Sequence, residues 1–406
     1  MTVDCIYLDN HATTPCDPRV VDAMLPFFSQ RFGNPASIHH PYGWDAEDAV
    51  DRAQRSVARV LGAQAHEVVF TSGATESNEI ALLSETMRRP GAHVVVSAVE
   101  HPSVLNVAKS LVDFGCEFTV VPVDATGRVD PTDVAQAMRP QTVMVSIMHA
   151  NHEVGTINPL AQIGRLCREH EVLFHTDATQ TFGKIPIDVH AMQVDLLSIS
   201  GHKCYGPKGV GALFVRSGLR LTPLCGGGGQ QAGLRSGTLP VPLIAGLGMA
   251  SDIVSAQLDD ESRRLLELRT RLLDNLQSIL PGIRCNGDAD HRLPGNLNIT
   301  FDDVDSETLL ESTRSKLAVS TGSACTSSRL QPSYILTAMG LTPRQAQSSL
   351  RFGIGRFNTV EDVDTAARLV GQSVLAIRRS RGASGRCSPH AASTTGPLES
   401  SAGGAR

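Results

Sequence analysis

A chain of 406 residues that is 41% hydrophobic and 19% charged can bury a large core and has the length of about two or three domains. Its net charge of -5 and its 4% aromatic content exclude a general nucleic-acid binder, which needs a basic excess for phosphates and ring faces for bases. Nine cysteines without one Cys-x-x-Cys pair exclude a disulfide framework and a zinc knuckle.

From the N-terminus, strand-like residues 5–9 begin almost at once, which leaves no room for a signal peptide and makes a cytoplasmic location the expectation. A helix is expected over 46–61. Short β-rich runs then recur at 68–71, 94–98, 118–121, 143–148, 172–177, 196–200 and 212–215, with helices expected over 78–88 and 133–138. This alternation is an α/β pattern, and continuous apolar runs are those of strands covered by helices on both faces.

Several ends of these strands carry chemistry-bearing residues, the place where open α/β sheets bind ligands. Phe70 to Asn78 runs from a strand through a small-residue turn into a helix, whose free N–H groups could cradle a phosphate with Thr75 and Ser200 adding donors; a plain capping box is the alternative. His101 could stack on a bound ring and shuttle protons, or be a surface loop histidine. Asn151 follows another strand. Asp177 could pair with a protonated heterocyclic nitrogen, or serve as a turn or N-cap residue. Only 5 of the 36 basic residues are lysines, and two of them, Lys203 and Lys208, lie in the stretch from Ser200 to Gly209. A partly desolvated lysine can attack a carbonyl where an arginine cannot, so Lys203 is a candidate for Schiff-base chemistry, with a solvated loop lysine as the bland reading.

After the glycine-rich stretch 225–237 the pattern turns helical. The apolar run 241–250 is too short to span a bilayer, and Leu265, Leu268, Leu272, Leu276 and Ile279 lead by helical spacing into a second, smaller domain. Further elements are expected at 296–301, 306–312 and 360–377. Between them, Cys325 stands among small residues, a loop that can carry a thiol to a partner group, and Arg351 and Arg356 can grip a carboxylate bidentately. From about residue 380 the chain has too little apolar surface to offset ordering entropy, and disorder is expected.

Taken together, Asp9-Asn10-His11-Ala12-Thr13-Thr14, Phe32-Gly33-Asn34-Pro35, residues 71–78, 177–180 and 200–209, Arg235-Ser236-Gly237-Thr238 and Ser323-Ala324-Cys325-Thr326 resemble the cysteine desulfurases of the NifS/IscS type, within the class V aminotransferases. The likeness covers roughly residues 5 to 378. It implies a fold-type I pyridoxal 5'-phosphate enzyme: an α/β fold with a mostly parallel seven-stranded sheet in a large domain and a smaller α+β C-terminal domain, assembled as a homodimer. The implied division is an N-terminal segment, 1–15, packed with the small domain, a cofactor-binding domain over 16–258, a small domain over 259–379 and a tail over 380–406.

By the same resemblance Lys203 would hold the cofactor covalently, Asp177 would pair with the pyridine nitrogen, and His101 would stack on the ring and share in catalysis. Gln180 and Asn151 would touch the ring's polar edge. Ala74, Thr75, Ser200 and His202 would hold the phosphate, joined by Thr238 of the partner subunit. Arg351, assisted by Asn34 and Asn151, would bind the carboxylate of L-cysteine, and Cys325 would take the sulfur as a persulfide, leaving L-alanine. No resident metal is implied, with Cys325 at most a transient ligand of an iron–sulfur cluster. The sulfur would pass to an acceptor serving iron–sulfur assembly, tRNA thiolation or DNA phosphorothioation, with neither membrane nor direct nucleic-acid binding. The rival readings are a selenocysteine lyase or other enzyme of the same fold and, further off, a non-catalytic sulfur carrier. His152, where many relatives carry a second Asn, Gly226, where some have His, and a tail unlike the scaffold-docking C-terminus of the housekeeping type are the departures.

Overall fold

The computed structural model describes residues 5–321 and 331–384. Strand β1 (Ile6–Tyr7) leads to helices α1 (Pro18–Met24), α2 (Pro26–Ser29) and α3 (Pro41–Leu61), each opening on a proline, whose missing N–H costs nothing where a helix has no donor partner. Helix α3 ends at Gly62, which takes the left-handed conformation (φ +69°) and returns the chain toward the sheet.

The central sheet is built from β2 (Val68–Thr71), β3 (His93–Ser97), β4 (Glu117–Val121), β5 (Thr142–Ser146), β6 (Leu173–Asp177), β7 (Leu196–Ser200) and β8 (Gly211–Val215). Their order is β2-β8-β7-β6-β5-β3-β4, with every neighbouring pair from β4 to β7 parallel and β8 antiparallel to both β2 and β7. All seven expected runs lie in this mostly parallel sheet. The connections supply α4 (Ala74–Thr86), α5 (Pro102–Ser110), α6 (Pro131–Ala137) and α7 (Leu160–Glu169). Alternate residues feed opposite faces: Val95 and Val145 enter the core shared with α3, α6 and α7, while Val94, Val96 and Met144 enter the one covered by α4 and α5. Helices on both sides explain why these strands read as unbroken apolar runs.

Helix α8 (Val241–Ile279) runs for 39 residues, much further than the expected helix starting near Leu265. The domain boundary expected at residue 258 falls inside it. Its length and apolar content match a membrane span, yet Ile244, Leu247 and Val254 are buried in the large core and Leu265, Leu268, Leu272 and Leu276 in a second one, so it reads as a helix shared by two cores. The second core is completed by β9 (Arg284–Asn286), β10 (Asn296–Thr300), α9 (Ser306–Thr313), β11 (Leu317–Ala318), β12 (Ser349–Gly353) and α12 (Val360–Ser384), with antiparallel order β12-β10-β9, while α10 (Tyr334–Ala338) and α11 (Pro343–Gln347) bury Ile335, Leu336 and Ala346 in a separate cluster with Val99, Met148 and Val154. β1 pairs with β11, and Leu8 is buried in this core. Helix α12 continues to Ser384, so residues 380–384 are helical where a disordered tail was expected; residues 385–406 lie outside the described residues, as does Cys325.

Candidate active site

The carboxyl ends of β2, β6 and β7 and the loop after β3 open on one cavity of about 510 Å³. At one end stands the start of α4. Gly73 is the N-cap and has no side chain to satisfy the first helical N–H groups, so those of Ala74 and Thr75 are left to a ligand. A Cβ on Gly73 would stand 3.8 Å from Ser200 Oγ, and its φ of +156° is one that side chains avoid. The capping-box alternative is not met: Gly73 N–H donates to Thr71 Oγ1, and Glu76 accepts from the N–H of Ser72, one residue before the cap, and pairs with Arg235 at 3.0 Å. Ser200, His202 and Lys208 line the same end. Burial, then Lys203, Lys208 and Lys184, hold the His202 imidazole down to about 4.

Asp177 closes β6 with its carboxylate oriented from two sides. Oδ2 accepts from Asn78 Nδ2 at 2.9 Å and Oδ1 from the Thr179 N–H at 2.9 Å. One strand over, β7 passes into a tight turn in which Gly206 N–H donates to Gly201 O at 2.9 Å, and a Cβ on Gly201 would meet Pro207 O at 2.9 Å. The turn presents Lys203, whose Nζ donates to His11 O at 2.6 Å and Ala12 O at 2.7 Å. The N-terminal segment thus crosses the floor of the cavity. It is pinned there by Thr14 Oγ1, which donates to His202 O and accepts from Tyr205 N–H.

His101 is the N-cap of α5: its Nδ1 accepts from the Ser103 N–H at 3.1 Å and lies 2.8 Å from Ser103 Oγ. Burial is the main influence lowering its pKa, with Lys203 adding to it and Asp177 opposing. The ring of His152 meets it edge-on, centroids 5.4 Å apart, and is held well below the usual histidine range, chiefly by burial. Gln180 is fixed by three partners: Nε2 donates to His11 O, and Oε1 faces Lys184 Nζ at 2.8 Å and His11 Nδ1 at 2.9 Å. Arg351 is 2% exposed; Nη2 pairs with Asp9 at 2.7 Å, Nη1 donates to His152 O at 3.0 Å, and Nε is buried without a partner among the described residues.

The cavity therefore gathers Ala74, Thr75, His101, Asp177, Gln180, Ser200, His202, Lys203 and Arg351. Asn151 is not at its wall. Its Oδ1 accepts from the N–H groups of Glu153 and Val154 and its Nδ2 donates to Val99 O, so the amide helps hold the loop after β5. Asn34 is exposed in a turn, its Oδ1 accepting from Ala36 N–H, and is not at the wall of this chain's cavity either. Thr238 is exposed and outside it too. Sequence reasoning missed the part of His11, Ala12, Ser103 and Thr179; the only signal was that each lies within two residues of a motif residue or inside a quoted motif.

The sequence model of the family Aminotransferase class-V matches residues 6–366. The chain is 50% identical over 377 residues to the cysteine desulfurase IscS of Anaeromyxobacter dehalogenans (strain 2CP-C), covering 92% of this chain and 93% of that one. It is 46% identical over 378 residues to the cysteine desulfurase IscS of Rickettsia prowazekii (strain Madrid E), covering 92% of both. Among solved structures it is similar to a NifS-like protein (TM-score 0.85, 35% identity, 92% of this chain and 99% of that one) and to SspA in complex with cysteine (TM-score 0.77, 36% identity, 87% and 99%).

Proposed function

From the premise that this chain belongs to the class V aminotransferase family and is a cysteine desulfurase, we propose that it takes the sulfur of L-cysteine onto Cys325 as a persulfide, leaves L-alanine, and hands the sulfur to an acceptor protein. Pyridoxal 5'-phosphate is a general trait of this family, and the donor set fits it: an amine, an oriented carboxylate, a flanking imidazole and an uncapped helix start meet in one cavity. When bound, that cofactor supplies an aldehyde for an amine and a ring that absorbs electron density.

The chain's own residues do the rest. The α4 N–H groups, Ser200 and His202 would hold the phosphate, Asp177 would keep a ring nitrogen protonated, and Gln180 would offer its second amide hydrogen to the ring's edge. Lys203 Nζ, held on the His11 and Ala12 carbonyls, would be the group that holds the cofactor and moves protons beside it. Arg351, whose Nε–H has no partner among the described residues, would offer donors to the substrate carboxylate. Cys325 Sγ forms an S–S bond to the substrate sulfur as the substrate's C–S bond breaks, and the carbon left behind takes up a proton.

We further propose a homodimer that brings Thr238 of the partner subunit to the phosphate. The apolar side chains of Leu25, Phe28, Phe32, Ile38, Tyr42 and Trp44, each more than half exposed, support an interface on this face. The acceptor would serve iron–sulfur assembly, tRNA thiolation or DNA phosphorothioation, and the enzyme would work in the cytoplasm.

The meeting of Lys203, Asp177, His101 and the start of α4 in one cavity carries this reading. Its test is a pair of variants. Lys203→Ala should lose the borohydride-sensitive absorbance and turnover, and Cys325→Ser should lose persulfide and sulfide output from cysteine. Undiminished output from Cys325→Ser rejects the sulfur route.

A further inference from the structure

We propose that His101 works as a neutral Nε2–H hydrogen-bond donor, locked in that tautomer by Ser103 and Asn78, which are thereby positioning residues tied to the Asp177 carboxylate. The inference rests on the reading of His101 as a group that touches the cofactor and deepens it.

A continuous chain of side chains carries it. Asp177 offers only acceptors, so the end of the Asn78 amide facing Oδ2 at 2.9 Å is its NH2. The same Nδ2 reaches Ser103 Oγ at 2.8 Å, so that hydroxyl accepts from Asn78 and its own hydrogen is free for another partner. That partner is His101 Nδ1, 2.8 Å away. The Ser103 backbone N–H, which can only donate, points at the same nitrogen from 3.1 Å. With two donors aimed at its lone pair, Nδ1 has no room for a proton, and the neutral ring carries its hydrogen on Nε2.

The surroundings keep the ring neutral. Its Nδ1 caps the nine-residue helix α5, where the positive end of the helix disfavours a cation, and burial acts in the same sense. Around it, Lys203 works against a charge, Asp177 works for one, and His152 across the ring contact is itself held neutral by burial. The neighbouring Glu100 carboxyl, pushed by burial to about 8, stays protonated at neutral pH and adds no anion. A neutral imidazole that already holds its Nε2 hydrogen polarises by donating and cannot accept a proton there, so proton traffic is left to Lys203. To become an imidazolium, His101 would have to give up both contacts from Ser103, including the cap of α5.

Histidine-selective 15N labelling of the holoenzyme, with His101→Gln used to assign the signal, tests the tautomer without reference to turnover. Expected are a pyrrole-type Nε2 and a pyridine-type Nδ1 from about pH 6 to about pH 9; hydrogen on Nδ1, or a doubly protonated ring near neutral pH, overturns the proposal. Ser103→Ala should lower kcat about tenfold and give kcat/KM an acid limb at higher pH than any the parent shows, while Ser103→Thr should bring kcat back to within about twofold of the parent and restore its pH profile. A Ser103→Ala enzyme with the parent's tautomer and pH profile overturns the lock. A His101→Gln enzyme that turns over like the parent removes the catalytic reading beneath it, a failure visible apart from the NMR result.

Discussion

Replacing Glu100 by Gln should make the protein gain on wild type in stability as the pH is raised. Glu100 is wholly buried at the end of the β3 loop; Oε1 accepts from Ser97 Oγ at 2.5 Å and from Met148 N–H at 2.8 Å, while Oε2 has no partner among the described residues. Burial first, with Asp177 adding to it, pushes the carboxyl up to about 8. An unfolded chain would release that proton near pH ~4.5. Between those two values the native state holds a proton that the unfolded state has lost, so unfolding is favoured by raising the pH: the stabilisation is fully present below about pH 4.5 and is lost as the pH climbs through the folded value. Each pH unit in the window is worth about 1.4 kcal/mol, and with half-titration at the upper end the change from pH ~6 to pH ~8 comes to about 2 kcal/mol. Glutamine has the shape of the protonated acid and does not titrate, and Glu153, raised by burial to about 7, affects both proteins alike and cancels. Urea unfolding of the two proteins at equal concentration, at about pH 6, 7 and 8, should therefore show the gap between them widening by about 2 kcal/mol in favour of the variant. Stability profiles that stay parallel would mean that Glu100 is ionised in the fold and would refute the burial argument.

Arg351→Ala should raise KM for cysteine on the order of a hundredfold and, by leaving half-buried Asp9 without its partner, cost roughly 1–3 kcal/mol of stability; an unchanged KM in steady-state alanine assays would take the substrate carboxylate away from this residue. Gly211→Ala should weaken cofactor affinity about tenfold and lower stability by about 1–3 kcal/mol, because the new Cβ would run into Ile199 O and come within 2.7 Å of Gly73 Cα, the backbone that shapes the phosphate end; fluorescence titration of the apoenzyme with pyridoxal 5'-phosphate measures the first and urea unfolding the second. Leu272→Ala, in the second core, should cost about 2–5 kcal/mol in urea while leaving KM within about twofold, since the residue does not line the cavity.

Much of the architecture was legible in local pattern. All seven β-rich runs joined the central sheet because strands covered on both faces must be apolar along their whole length, a signature that survives without knowing what covers them. The uncapped start of α4 was legible for a similar reason: Thr71 to Thr75 needs small residues and a glycine where strand passes to helix, whichever helix it is. Helix α8 was read too short because its first half is glycine-rich, with Gly246 and Gly248 in a stretch of low helix propensity. Those glycines are there because a Cβ would strike Met24 at 2.7 Å and Ala53 at 2.8 Å, so close packing on α1 and α3 overrides propensity. The hold of Asn151 on its own loop was not legible, because its residue type and strand-end position suit a ligand contact equally well, and only the fold brings the Glu153 and Val154 N–H groups to its Oδ1.

The order of residues along the chain by itself determined the layered α/β core and which side chains could do amine, carboxylate and phosphate chemistry, since periodicity, glycine placement and residue type are local properties. Only the tertiary structure decided how they are held. Lys203 reaches carbonyls 191 and 192 positions away, and Asp177 is joined to Asn78 across 99 positions and through it to His101. Such contacts depend on where separate elements come together in space, and so does the hydrogen on a histidine ring, which follows from the neighbours that the fold brings to each nitrogen.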